Sequence, residues 1–220
     1  KPLEGLLVIE LATYWVGPSA GAYLRSQGAR VIKVEQPPAG DSTRYFARTC
    51  GVPYTKDENP IHDVSNGGKE CITLDLKDPQ ELQLLHNMLA KADVFLTSVR
   101  QGGLERLGLD YEAIKDRYPR LIYAHGTAYG RSGPLSSLPG LDAVAFFGIN
   151  GMLTDNMLTP DGASAPSRAW ATSPQAAIWT LDHDRALPEG KDGARRLCDD
   201  LPVRRRRLGI AELRHRHAVL

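Results

Sequence analysis

The chain has 220 residues, 42% of them hydrophobic, enough for a real core in one domain or in a large domain with part of a neighbour. Its net charge of +1 gives no electrostatic argument for a nucleic-acid or acidic partner. Three widely spaced cysteines, Cys50, Cys71 and Cys198, make neither a metal set nor a disulfide framework, so a reducing, cytoplasmic setting is expected. The opening KPLEGLLVIEL lacks a signal-peptide layout, and no apolar run approaches the ~20 residues of a membrane span.

In chain order, LLVIEL predicts a buried strand. The turn around Gly17-Pro18 opens a small-residue helix, Ser19 to Gln27, and Gly28 stops it. RVIKVE predicts the next parallel strand. Leu6 to Glu35 is thus half of a nucleotide-binding α/β unit, whose ligands sit beyond the strand carboxyl ends. QPPAGDSTRYF reads as a polar loop, and Ala47 to Gly68 as a long excursion without period, uncommon unless functional. CITLDL predicts a strand, and Asp78-Pro79 starts a helix striped by Leu82, Leu85, Leu89 and Ala92. VFLTSV is the next strand, followed by short helices at Leu104 to Leu107 and Tyr111 to Tyr118, then the strand LIYAHG. GRSGPLSSLPG reads as a loop and LDAVAFFGINGML as a helix leaving it. The alternation predicts a Rossmann-like open parallel sheet with crossover helices. From Asp182 the texture turns rich in Arg, Asp and His, which divides the chain into an α/β part, 1–181, and an Arg-rich tail, 182–220. Such a tail has little apolar surface to offset ordering entropy, so poor packing is expected.

The motifs PLEGLLVIEL, GARVIKVEQPPAGDSTR, ITLDLKDP, ADVFLTSVRQGGLERLGLDYEAI, PRLIYAHGTAYGRSGP and PGLDAVAF occur together, in order, over roughly residues 1 to 168. In this combination the chain resembles the family III CoA-transferases (CaiB/BaiF type), whose relatives include α-methylacyl-CoA racemases. ENPIHDVSNGGK, VFLTSVR and IYAHGTAYG look most like the branch that moves CoA between 2-hydroxy acids or aryl acids. The resemblance implies coenzyme A or acyl-CoA as substrate rather than a tightly bound cofactor, a small carboxylic acid as its partner substrate, no metal, and a homodimer. This chain ends before the family's second domain and returning segment could be completed, which puts the homodimer in doubt here and leaves apolar sheet surface expected to be exposed.

By the same resemblance, Trp15 and Val16 would line the thioester end. Gln36 stands where relatives often carry an arginine touching the nucleotide. Leu74, Asp75, Leu76 and Lys77 would border the adenine and its phosphates. Ser98, Val99 and Arg100 would lie beside the pantetheine, Arg106 near the CoA nucleotide, and Pro139, Gly140, Leu141 and Asp142 on the opposite wall. Taken singly, the residues read more plainly. Arg106 is a solvated helix residue, Lys69 and Lys77 are surface lysines, Trp15 is core, and His125 is a satisfied structural histidine. Asp142 is a helix-start carboxylate.

The family's chemistry needs an aspartate nucleophile in a Gly-Asp pair before a helix beginning near TGIWTL. Thr172 stands at that position here, and Ala171 at its glycine. A threonine cannot form the acyl anhydride, so catalysis by this copy is expected to be impaired. Written in GC-rich codons with one base restored near Arg168, RAWATSPQA can become R-G-L-G-D-Q-P-A-G. The stretch from Asp182, shifted by one base, also approaches family sequence. Residues 169 to 177 and 182 to 220 therefore read as frameshifted. Three functions remain open: an impaired CoA-transferase, a non-catalytic CoA-binding module, and a basic-tailed interaction protein using Arg204 to Arg207. Within the family, a racemase would need a histidine where Leu141 stands.

Overall fold

The computed structural model describes residues 1–55, 57–141, 145, 157–159, 162–163 and 198–199. Strand β1 (Leu7–Leu11) is followed by helix α1 (Val16–Ser26) and β2 (Arg30–Glu35). Helix α1 starts three residues before the predicted Ser19. Gly17 and Pro18 form its first turn, where a proline forfeits no helical hydrogen bond.

The predicted loop and excursion hold two short helices, α2 (Thr43–Thr49) and α3 (Pro60–Asn66). Helix α3 carries a legible start signal: the Asn59 side chain accepts from the His62 N–H at 3.2 Å, with Pro60 at the first position. Strand β3 (Glu70–Thr73) ends three residues earlier than predicted. Beyond it Leu74 and Leu76 turn into the core. Helix α4 (Pro79–Leu89) is capped by Asp78, whose carboxylate accepts from the Gln80 N–H at 2.7 Å. Then come β4 (Val94–Thr97), α5 (Gln101–Leu107), α6 (Tyr111–Ile114) and β5 (Ile122–His125). Helix α5 is longer than predicted and α6 shorter. Further on are an antiparallel pair, β6 (Met157–Thr159) and β7 (Gly162–Ala163), and β8 (Cys198–Asp199).

The main sheet runs β3-β2-β1-β4-β5-β8, every pairing parallel. This is the predicted Rossmann-like open parallel sheet. Two tail residues, Cys198–Asp199, therefore join the sheet beside β5. The proposed 181/182 boundary and the rest of the tail lie outside the described residues.

Strand alternation sorts the core into two layers. Ile9, Leu11, Val34, Phe95 and Tyr123 face the α4–α6 side with Leu85, Leu89 and Leu104. Val8, Val31, Leu96 and Ile122 face α1 through Ala20 and Leu24. On that second face the same period buries Glu10, Lys33 and Glu35. Glu10 and Lys33 sit opposite each other in the β1–β2 register.

Among the described residues, no helix is long and apolar enough to cross a membrane.

Candidate functional site: a cleft at the sheet switch point

Strands β1 and β4 are neighbours, but their following connections leave in opposite directions. That divergence opens a crevice at the carboxyl edge, where open α/β sheets bind ligands. A cleft of about 830 Å³ occupies it, walled by the segments after β1, β4 and β5. It brings together eight of the predicted residues: Trp15 and Val16 from the first segment, Ser98, Val99, Arg100 and Arg106 from the second, and Gly140 and Leu141 from the third.

The remaining predicted residues do not line it. Gln36 is exposed past β2. Leu74 and Leu76 are buried in the core, so only backbone and the neighbours Asp75 and Lys77 remain for a ligand there. Asp75 is half-buried, and Lys77 and Pro139 are exposed. Asp142 and Thr172 lie outside the described residues.

The wall segments are tied together by polar contacts. The Thr97 hydroxyl donates to the Leu11 carbonyl at 2.9 Å and accepts from the Val99 N–H at 3.2 Å. The Thr13 N–H reaches the Ser98 hydroxyl at 3.4 Å. His125, buried at the end of β5, lies with Nε2 2.8 Å from the Val99 carbonyl. A carbonyl only accepts, so Nε2 carries the proton and the ring fixes the segment after β4 from below. This fits the structural reading of that histidine.

Tyr14 adopts φ +70°, a left-handed backbone that an aromatic residue rarely takes. Its N–H donates to Asp41 Oδ1 at 3.1 Å. Its ring meets Trp15 and Phe46 at 5.4 and 5.5 Å between centroids, and Trp15 meets Phe46 edge-on at 5.7 Å. Beneath lies a closed ion cluster. Lys33 Nζ contacts Glu10 at 3.0 Å, Asp41 Oδ2 at 2.8 Å and the Ala12 carbonyl at 2.8 Å. Lys69 Nζ contacts Glu10 at 2.7 Å and the Pro18 carbonyl at 2.7 Å. The surface reading of Lys69 is thus corrected: its side chain is 1% exposed, because Glu10 on the α1 face needs a second cation. Burial opposes ionisation of Asp41, but the Lys33 charge and hydrogen bonds outweigh it and hold its carboxyl below the usual range. Burial pushes the Lys69 ammonium down despite Glu10.

Glu35, at the end of β2, stands where dinucleotide-binding sheets present an acid to the ribose. Here Arg44 grips it in a fork at 2.7 and 2.8 Å, and the Asp41 N–H donates to it at 3.0 Å. With that acid occupied, and GPSAG rather than G-x-G-x-x-G opening α1, the edge is not built for a dinucleotide.

The CoA-transferase family III model matches residues 3–179 of the chain. The chain belongs to CoA-transferase family III. It is 44% identical over 160 residues to cinnamoyl-CoA:phenyllactate CoA-transferase of Clostridium sporogenes, covering 71% of this chain and 39% of that protein. It is 39% identical over 150 residues to (R)-2-hydroxy-4-methylpentanoate CoA-transferase of Clostridioides difficile, covering 68% and 37%. The crystal structure of a CAIB/BAIF family protein from Brucella suis superposes with a TM-score of 0.75 at 32% identity, covering 90% of this chain and 52% of that one. This family III chain therefore spans about two fifths of the length of these curated relatives.

Sequence reasoning missed part of this family III cleft. Tyr14, Gly126, Thr127, Arg131, Ser136 and Ser137 also line it. The signal was available: GTAYGRSG leaves the carboxyl end of a strand beside the switch point. Among the described lining side chains, Arg100, Arg106 and Arg131 outnumber the one carboxylate, Glu105, which accepts from Gln101 at 2.9 Å. The described part of the lining is therefore positively biased. Among the described residues no cluster of His, Cys, Asp and Glu could hold a metal.

Proposed function

We propose that the chain is the CoA-binding part of a CoA-transferase that moves CoA between an acyl-CoA and a small carboxylic acid, of the 2-hydroxy or aryl type. The observation carrying this reading is the cleft. It joins aromatic and apolar walls from Trp15, Val16 and Leu141 to the cations Arg100, Arg106 and Arg131. CoA needs that combination: a narrow channel for pantetheine, an apolar face for adenine and cations for the phosphates. The acid class is supported by the relatives named for phenyllactate and (R)-2-hydroxy-4-methylpentanoate. Leu141 on the cleft wall, where a racemase would carry histidine, speaks against proton exchange. The reading extends to a homodimeric, cytoplasmic whole protein.

In the transfer, an aspartate carboxylate attacks the acyl-CoA thioester. A mixed anhydride forms and CoA thiolate leaves. The thiolate returns to the aspartyl carbonyl, giving aspartyl-CoA and freeing the donor acid. The acceptor carboxylate then repeats the exchange in reverse, releasing new acyl-CoA and the aspartate. Thr172 cannot take this role, so a second reading, a CoA-binding module without turnover, is favoured for the chain as it stands.

Calorimetric titration with CoA tests the common part; absence of binding at millimolar CoA removes both readings. Thr172→Asp in a chain with a restored C-terminal half separates them. Binding without acyl exchange in that protein overturns the transferase. An intact gene reading frame through Thr172, with no nearby frame carrying Gly-Asp, would overturn the frameshift reading of residues 169 to 177.

A further inference from the structure

We propose that Asp41 is a positioning residue for the cleft: it holds the Tyr14 backbone in its left-handed turn and thereby sets Trp15 on the cleft wall. The proposal rests on reading the cleft as a CoA site.

Three points from the end of β1 to the first turn of α1 are held by buried charged groups. Lys33 takes the Ala12 carbonyl, Asp41 takes the Tyr14 N–H, and Lys69 takes the Pro18 carbonyl. Asp41 is the one that acts at the strained residue. It is fully buried, and its two oxygens are divided. Oδ1 accepts from the Tyr14 N–H at 3.1 Å and from the Thr43 N–H and hydroxyl at 2.9 and 2.8 Å. Oδ2 faces Lys33 at 2.8 Å. A left-handed tyrosine persists only where its surroundings over-determine it. Here the determinants are the Asp41 hydrogen bond on one side and Phe46 against both rings on the other. Both come from the GDSTRYF stretch, so the start of the α2–α3 excursion is the clasp on the cleft loop. An amide cannot replace Asp41, because it has one acceptor oxygen for two sets of donors.

The test is a double-mutant cycle on the full chain: wild type, Asp41→Asn, Tyr14→Gly and the double variant. Two quantities are read, CoA affinity by calorimetry and amide exchange of the peptide spanning residues 11 to 16 by mass spectrometry. Asp41→Asn is expected to speed exchange at Tyr14 and weaken CoA binding, each about tenfold. In the Tyr14→Gly background, where glycine takes φ +70° without strain, both effects should shrink to about threefold or less. Equal losses in both backgrounds would reduce Asp41 to a fold-stabilising residue and overturn the proposal. Unchanged exchange in Asp41→Asn would overturn it directly. A wild type that binds no CoA would refute the CoA reading, while the exchange cycle still decides whether Asp41 holds the loop. If Asp41→Asn does not fold, Thr43→Val removes one hydroxyl from the same oxygen. Faster Tyr14 exchange supports the proposal there, and unchanged exchange overturns it.

Discussion

Arg106 is exposed on α5 at the cleft, its guanidinium beside Gly102 and Gly103 in the first turn of the same helix. Its contribution should therefore appear in ligand affinity and not in stability. Arg106→Ala is expected to weaken CoA binding about tenfold, the scale of one lost charge-assisted contact, with the thermal midpoint unchanged. A lowered midpoint with unchanged affinity would make it a structural residue. Gly108 gives the complementary case. It ends α5 at φ +62° with open space around a would-be Cβ, so Gly108→Ala isolates the backbone cost. About 1 kcal/mol of lost stability in a denaturant titration is expected, with CoA affinity intact. These two positions also differ in legibility. A glycine after LERL is an open helix-stop signal, whereas nothing in VIELATYW announces that Tyr14 goes left-handed. That conformation is imposed by Asp41, which is distant in sequence.

At the scale of elements, the α1 face of β1 and β2 carries a layer of buried charge alongside the hydrocarbon of Val8 and Val31. Period-two alternation in LVIEL and RVIKVE places Glu10, Lys33 and Glu35 on one face, and that much is readable from sequence. Their partners are not: Asp41, Arg44, His62 and Lys69 come from the loop and excursion between β2 and β3, and only the fold brings them over the sheet. Helix α1 can lie on this layer because it is small-residue. A Cβ at Gly21 would stand 1.9 Å from Glu10 Oε2, so Gly21→Ala is expected to cost about 1–3 kcal/mol through overpacking. Lys33→Met strips Asp41 of its cation and Glu10 of one of two, and should cost about 3–5 kcal/mol by chemical denaturation.

The carboxyls of Asp41 and Glu35 titrate below their ordinary range. Burial resists this in both, but Lys33 overcomes it for Asp41, and His62 and Arg44 for Glu35. The unfolded chain therefore binds more protons in acid, and stability rises with pH across that window. The ion layer's contribution should be complete above about pH 5 and fall progressively below about pH 4. Thermal midpoints measured from pH 7 to 3 check this. A flat profile would mean that the layer contributes nothing net.

For the whole molecule, the alternation of apolar runs and capped helices carries the parallel sheet, and the strand order comes from the structure. The placement of a ligand edge beyond β1 and β4 follows from topology alone. The family follows from motif order. The weaker readings were those tied to single side chains near the nucleotide end. Leu74 and Leu76 are claimed by the core because β3 ends early, and Gln36 and Lys77 stand outside the cleft. The account stands on one central claim, that the switch-point cleft is a CoA site. Calorimetric titration of CoA into the full chain tests it most directly, with Arg106→Ala alongside. Saturable binding with a Kd at or below roughly 1 mM, about tenfold weaker in Arg106→Ala, is the predicted result. No binding at millimolar CoA, or equal binding by both proteins, would contradict it.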